Sequence, residues 1–326
     1  MLVSLFAALA GLPASGVSLA QSRQKIWRIG VLRPGPPPAP GVRSTDVDFL
    51  EGMRDLGYVE GRNITVQLHF ADDKPERLQE LAAQLVKEKV DVIVTQGTVA
   101  TRAAQQATAT TPIVALTFGD PVAGGFAKSL ARPGGNITGM ANLGDETGDK
   151  RLELLSSVVP GVTRIGYLVN PDNPGNTRSL PRREVLARKI GKELVPSTAR
   201  NPAELGAAFE MMARERAGAL VVADEPMLNR NSQRIATLAL KQKLPTIFGA
   251  SNAADRGGLM TYGPNYFHMG RRAAALVDKI FKGAKPGDLP IEQPTDFTLV
   301  VNLKTAKALG ITIPQSVLLQ ASRVIE

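Results

Sequence analysis

From residue 26 onward, short apolar runs alternate with segments whose apolar residues recur every three or four positions. Residues 26–32 read as a short buried strand. Phe49, Met53 and Leu56 share one face of a helix that Gly57 stops. Residues 64–68 are a second strand, and Asp72-Asp73 with Pro75 opens a helix that turns Leu78, Leu81 and Leu85 to the core. The apolar run 90–94, an Ala-rich helical stretch and the run 113–118 complete a β-α-β-α-β-α-β series. Such a series predicts a parallel sheet with right-handed crossovers.

The pattern then recurs in the same order. "RIGVL" at 28–32 is echoed by "RIGYLVN" at 164–170, "VDVIVTQGT" at 90–98 by "AGALVVADEP" at 217–226, and "TPIVALTFGD" at 111–120 by "LPTIFGAS" at 244–251. Asn201-Pro202-Ala203-Glu204 between them reads as a capped helix start. Two α/β lobes of one pattern are therefore expected. The chain crosses between them near 132–146, and again near 257–265 and 290–302. This assigns residues 26–139 plus about 262–290 to a first lobe, and 140–261 plus about 291–326 to a second. A length of 326 residues also favours two lobes over one core.

The first twenty residues fall outside this alternation. "MLVSLFAALAGLPASGVSLA" is apolar and uncharged, and Ser18-Leu19-Ala20 is a small-x-small cleavage pattern. Residues 1–20 are read as a signal peptide cut after Ala20, although no Lys or Arg precedes the apolar run. Gly11, Pro13 and Gly16 break it too often for a spanning helix. A periplasmic protein is expected. With no cysteine in the chain, a lipid anchor, a disulfide framework and a thiol nucleophile are excluded.

The formal net charge of +9 raises nucleic acid as a partner. The Lys and Arg residues are scattered among Asp and Glu, however, and the pairs Arg182-Arg183 and Arg271-Arg272 fall in helical patterns, so they are read as solvated faces. Neither His69 nor His268 has a carboxylate or second His at metal spacing. No phosphate-cradling loop or G-x-S-x-G is present. No enzyme, metal, cofactor or nucleic-acid partner is expected, and the protein is taken as a monomer.

In open α/β sheets, ligands bind beyond the carboxyl ends of the strands. The residues there are Gly97, Thr98, Phe118, Gly119 and Asp120 in the first lobe and Asn170, Asn173, Asp224 and Phe248 in the second, with Tyr262 at a crossing. Gly97 would let a ligand approach the backbone. Thr98 opens a helix whose free N–H groups favour a carboxylate, or it caps that helix. Asp120 and Asp224 each offer a partner for an ammonium group, or each orders a turn or cap. Phe118 and Phe248 would sandwich an apolar side chain, or pack in the core.

A family likeness runs through "MRDLGYVEGRNITV", "GDPV..G...SLARPGGNITG", "KRLELL...VP", "GGLMTYGPN", "VDKIFKGAKPGDLPIEQPT" and "LVVNLKTAKALGITIP". Taken together these resemble the ABC-transporter substrate-binding proteins of the aromatic-amino-acid-binding type, over roughly residues 26–326. The resemblance implies a type I periplasmic-binding fold, each lobe a parallel sheet with helices on both faces, hinged by crossing strands. It also implies capture of a small molecule, an amino acid or related carboxylate, and delivery to an ABC permease in the inner membrane. Gly97, Thr98, Gly119, Asp120, Asn170 and Asn173 match the family's cleft positions. A ligand-sensing module of a membrane signalling system, on the same fold, is the alternative.

Overall fold

A computed structural model of the chain describes residues 25–38, 44–142, 144–250 and 252–326. Residues 1–20, read above as a signal peptide, lie outside the described residues, as does part of the Pro-rich stretch after Pro34.

The first half forms β1 (Trp27–Arg33), α1 (Thr45–Asp55), β2 (Ile64–Phe70), α2 (Arg77–Lys87), β3 (Val92–Gln96), α3 (Gly97–Ala107), β4 (Ile113–Phe118) and β5 (Ile137–Ala141). The second forms α4 (Gly144–Val158), β6 (Arg164–Val169), α5 (Pro174–Lys189), β7 (Glu193–Thr198), α6 (Leu205–Arg214), β8 (Ala219–Val222), α7 (Pro226–Arg230), α8 (Ser232–Lys241), β9 (Thr246–Phe248) and β10 (Met260–Pro264). The chain ends with α9 (Tyr266–Phe281), β11 (Phe297–Asn302), α10 (Leu303–Leu309), α11 (Gln315–Leu318) and β12 (Arg323–Ile325).

Two sheets result. The first has the order β2-β1-β3-β4-β5 and is wholly parallel; the second runs β12-β11-β10-β9-β8-β6-β7, with only the β10–β11 pair antiparallel. The repeated motifs occupy matching slots: β1 and β6 flank their successors as β3 and β8 do, and β4 and β9 follow. This is the two-lobed α/β architecture that the alternation implied.

The local reasons are visible in the sequence. Gly57 ends α1 at φ +87°, a conformation that favours glycine. Leu78 and Leu85 of α2 are buried, with Leu81 packed beside them. Leu56, by contrast, is 43% exposed and is not part of the α1 core face. It is the residue after the helix, where the chain leaves the 3.6-residue repeat. Asn201 accepts from the N–H groups of Ala203 and Glu204 at 3.0 and 3.3 Å. The Glu204 carboxylate reaches back to the N–H of Arg200 at 2.9 Å, one residue before the position a capping box uses.

The first sheet carries a core on each face. On one, Phe49 and Met53 of α1 pack with Met269, Ala273, Val277 and Phe281 of α9. Small residues set this helix pair: a Cβ on Gly270 would fall 2.5 Å from the Thr45 carbonyl oxygen, and one on Gly52 would fall 2.9 Å from the Ala274 Cβ. On the other face, Leu78 and Leu85 of α2 pack with Ala100 and Ala104 of α3 and with Phe118. The second lobe has one continuous core that includes Tyr167, Phe209, Ile247 and Val301. The chain crosses between sheets after β5, after β10 and before β11, where Glu292 still bridges to Met140. Among the described residues, no helix is long and apolar enough to cross a membrane.

Candidate functional site

The carboxyl ends of both sheets face one cleft of about 600 Å³, a size that suits a small organic molecule. Arg33, Gln96, Gly97, Thr98 and Phe118 to Pro121 line it from the first lobe. Asn173, Ser179, Arg183, Asp224, Glu225 and Arg230 line it from the second, and Asn142 and Tyr266 stand at the crossings.

The residues read from sequence divide into three groups. Gly97, Thr98, Gly119, Asp120, Asn173 and Asp224 all line the cleft. Gly97 adopts φ +83°, and a Cβ there would fall 2.9 Å from Cγ of Pro226. The close approach that its position requires is thus made by the other lobe. Thr98 does not cap α3; its Oγ1 accepts from the Gly119 N–H at 2.9 Å and ties α3 to the end of β4. Asp120 Oδ1 accepts from the N–H groups of Val122 and Ala123, and so orders its own turn. Asn173 caps α5 through the Gly175 N–H.

Phe118 touches the cleft but is buried, its ring edge-on to Phe126 with centroids 5.5 Å apart. Three expected site residues do not line the cleft. Phe248 is fully buried in the second core. Tyr262 stacks on Phe297 at 6.1 Å, because the β10–β11 pairing turns it toward that strand. Asn170 lies beneath the cleft, where its Nδ2 donates to Glu225 at 3.4 Å and its Oδ1 accepts from the Asp172 N–H.

Asp224 is the centre of a polar network between the lobes. Its Oδ2 accepts from Asn142 Nδ2 at 3.0 Å and from the Tyr266 hydroxyl, and its Oδ1 accepts from Asn229 Nδ2 at 2.8 Å. Burial, together with the Asp224 charge and hydrogen bond, pushes the Tyr266 phenol well above its ordinary pKa, so it stays a donor. The neighbouring Glu225 accepts from the Leu228 N–H at 2.5 Å and caps α7; burial raises its pKa.

The cleft wall also holds arginines. Arg183, expected on a solvated face, is buried in the cleft wall, donates to Ser179 and lies 3.9 Å from Asp149. Arg271 and Arg272 do lie on the surface, in ion pairs with Glu51, Asp55 and Glu292. Arg33 is buried, donates to Asp46 at 2.5 Å and to Gln96 at 3.0 Å, and burial lowers its pKa. Arg230 of the second lobe reaches the Asp73 carboxylate of the first. Arg151 of α4 is 1% exposed, and its Nη1 donates to the Tyr262 carbonyl at 3.0 Å. One sequence signal for Arg151 existed: Thr147, Arg151 and Leu155 recur every four residues on the buried stripe of α4.

The family model for ABC transporter substrate binding proteins matches residues 39–325. The chain belongs to that family. As a substrate-binding protein it is no enzyme. A tyrosine-binding protein of Clostridioides difficile is 26% identical over 270 residues, 83% of this chain and 77% of that protein. A crystal structure of a conserved domain protein from Vibrio cholerae superposes with a TM-score of 0.85 at 30% identity, covering 92% of this chain and 100% of the other. A Streptococcus pneumoniae domain in complex with L-Trp gives 0.84 at 24% identity, again covering 92% and 100%. The ligand-free, open structure of a substrate-binding protein with adhesive properties from Clostridium difficile gives 0.64 at 26% identity, covering 92% and 99%. These likenesses give the type I periplasmic-binding fold.

Proposed function

We propose that this substrate-binding protein captures an amino acid or related carboxylate with an aromatic body between its lobes and delivers it to an ABC permease in the inner membrane. Residues 26–139 plus about 262–290 act as one lobe and 140–261 plus about 291–326 as the other, with residues 1–20 removed on export.

The observation that carries this reading is the cleft itself, whose polar wall is split between two lobes that also bond to each other through Asp224, Asn142 and Tyr266. A ligand touching both walls stabilises the closed form over the open one, because only there does it make all its contacts. The higher TM-score to the L-Trp complex than to the open, ligand-free relative supports a closed arrangement here. The printed ligands of two relatives, tyrosine and L-Trp, support the aromatic class.

The test is uptake. The solute that leaves with the exported protein is identified, labelled and offered to cells with and without this gene. Loss of high-affinity uptake in the deletion strain is expected; unchanged uptake overturns delivery as the function.

A further inference from the structure

We infer that Arg151 is the anchor for an oxyanion of the ligand. Its burial is the starting point: a guanidinium cannot lose its proton, so it enters the protein interior charged and needs a counter-charge there. The other buried arginines of the cleft wall have one. Arg33 pairs with Asp46, Arg183 stands near Asp149, and Arg230, more open to solvent, pairs with Asp73.

Among the described residues, no carboxylate is in direct contact with Arg151. Its hydrogen bond goes to a neutral acceptor, the Tyr262 carbonyl, and its Nε is buried without any partner. The neighbouring carboxylate, Asp224, approaches Arg151 beside Gly249 but makes no hydrogen bond to it. A Cβ on Gly249 would fall 2.5 Å from the Asp224 Cβ and 2.9 Å from Arg151 Nη1, so glycine is required where the two residues converge. Asp224 is already engaged by Asn142, Asn229 and Tyr266. The guanidinium nonetheless lines the cleft. A buried guanidinium with no carboxylate bonded to it, beside a cavity, still has donors to give an anion that arrives in the cavity, and a carboxylate fits its planar fork. The carboxylate is thereby assigned to the second lobe rather than to the start of α3, where Thr98 is held by Gly119.

The aromatic reading above enters only in the choice of probes. Ligand-stripped wild type, Arg151→Met and Arg151→Lys are titrated calorimetrically with L-tyrosine, tyramine and 4-hydroxyphenylpropanoate, and with L-tryptophan, tryptamine and indole-3-propionate. Carboxylate-bearing probes should bind wild type and the amines should not. Arg151→Met should weaken the carboxylates by about a hundredfold, with part recovered in Arg151→Lys. Amines that bind as tightly as the acids, or a loss in Arg151→Met below about tenfold, overturn the assignment. If no probe binds wild type, the aromatic reading fails, and Arg151 is judged by ligand-free thermal melts. Because Asp224 keeps its three hydrogen-bond donors when Arg151 is replaced, Arg151→Met should melt close to wild type; a clearly lower melt makes Arg151 a structural residue and overturns the inference.

Discussion

Arg230 of α7 donates to the carboxylate of Asp73, joining the second lobe to the first at the mouth of the cleft. Asp73 holds this position with φ +59°, directly after Asp72 at φ +54°. Two successive left-handed residues aim one carboxylate across the gap, and Arg230 passes so close to Gly35 that a Cβ there would meet its guanidinium. The contact joins the two lobes, so in the closure proposed above it would act as a latch.

Asp73→Asn keeps a residue type that tolerates left-handed backbone and removes the charge. The pair is partly exposed, so the expected loss is about 1 kcal/mol, roughly fivefold in affinity. It should appear mainly as faster release of the co-purified solute in stopped-flow measurements. Small-angle scattering should show a larger radius of gyration for the liganded variant. Unchanged release and scattering would remove the latch from the account.

Trp27, the sole tryptophan, begins β1, while the cleft lies at the other end of that strand, beyond Arg33. Seven residues of strand put them about 20 Å apart. Trp27 stacks on Phe281 at 4.2 Å with Lys25 over its ring. Its emission should report unfolding and stay constant on ligand binding. A strong ligand-dependent change would mean that closure reaches the α9–β1 contact.

Alkaline pH offers a second handle. Burial, with a hydrogen bond to Asp278, pushes Tyr58 from 10.0 to about 12, and Tyr266 is raised as well. A phenol with a raised folded pKa keeps its proton better folded than unfolded. Its contribution is therefore full below about pH 10 and is lost as pH rises toward 12. Urea midpoints should fall across that window, and Tyr58→Phe should flatten part of the fall. A midpoint constant from pH 9 to 12 would contradict this.

Gly139 in β5 has φ +143°, and a Cβ there would sit 2.3 Å from the Ala115 carbonyl oxygen of β4. Gly139→Ala should cost about 2–4 kcal/mol in chemical denaturation, through overpacking and backbone strain together. A cost under about 0.5 kcal/mol would show that the β4–β5 irregularity can relax.

Much of this was legible in the chain. The three echoed motifs marked the matching strands because buried parallel strands are written as continuous apolar runs, and the residues just after them marked the cleft. What escaped was direction. Phe248 and Tyr262 have the right sequence positions, yet side-chain direction is set by sheet pairing, which turned one into the core and the other onto Phe297. Tyr266 and Asn142 meet Asp224 only through contacts spanning 42 and 82 residues. Arg183 looked like ordinary surface charge, because its half-buried carboxylate neighbour, Asp149, is visible only in three dimensions.

Native mass spectrometry of the exported chain, before and after incubation with a set of aromatic carboxylates, tests the central claim most directly. The expected result is one small carboxylate per chain, present on purification or acquired on incubation. Bare protein mass under both conditions would contradict a solute-capturing cleft for this class of ligand.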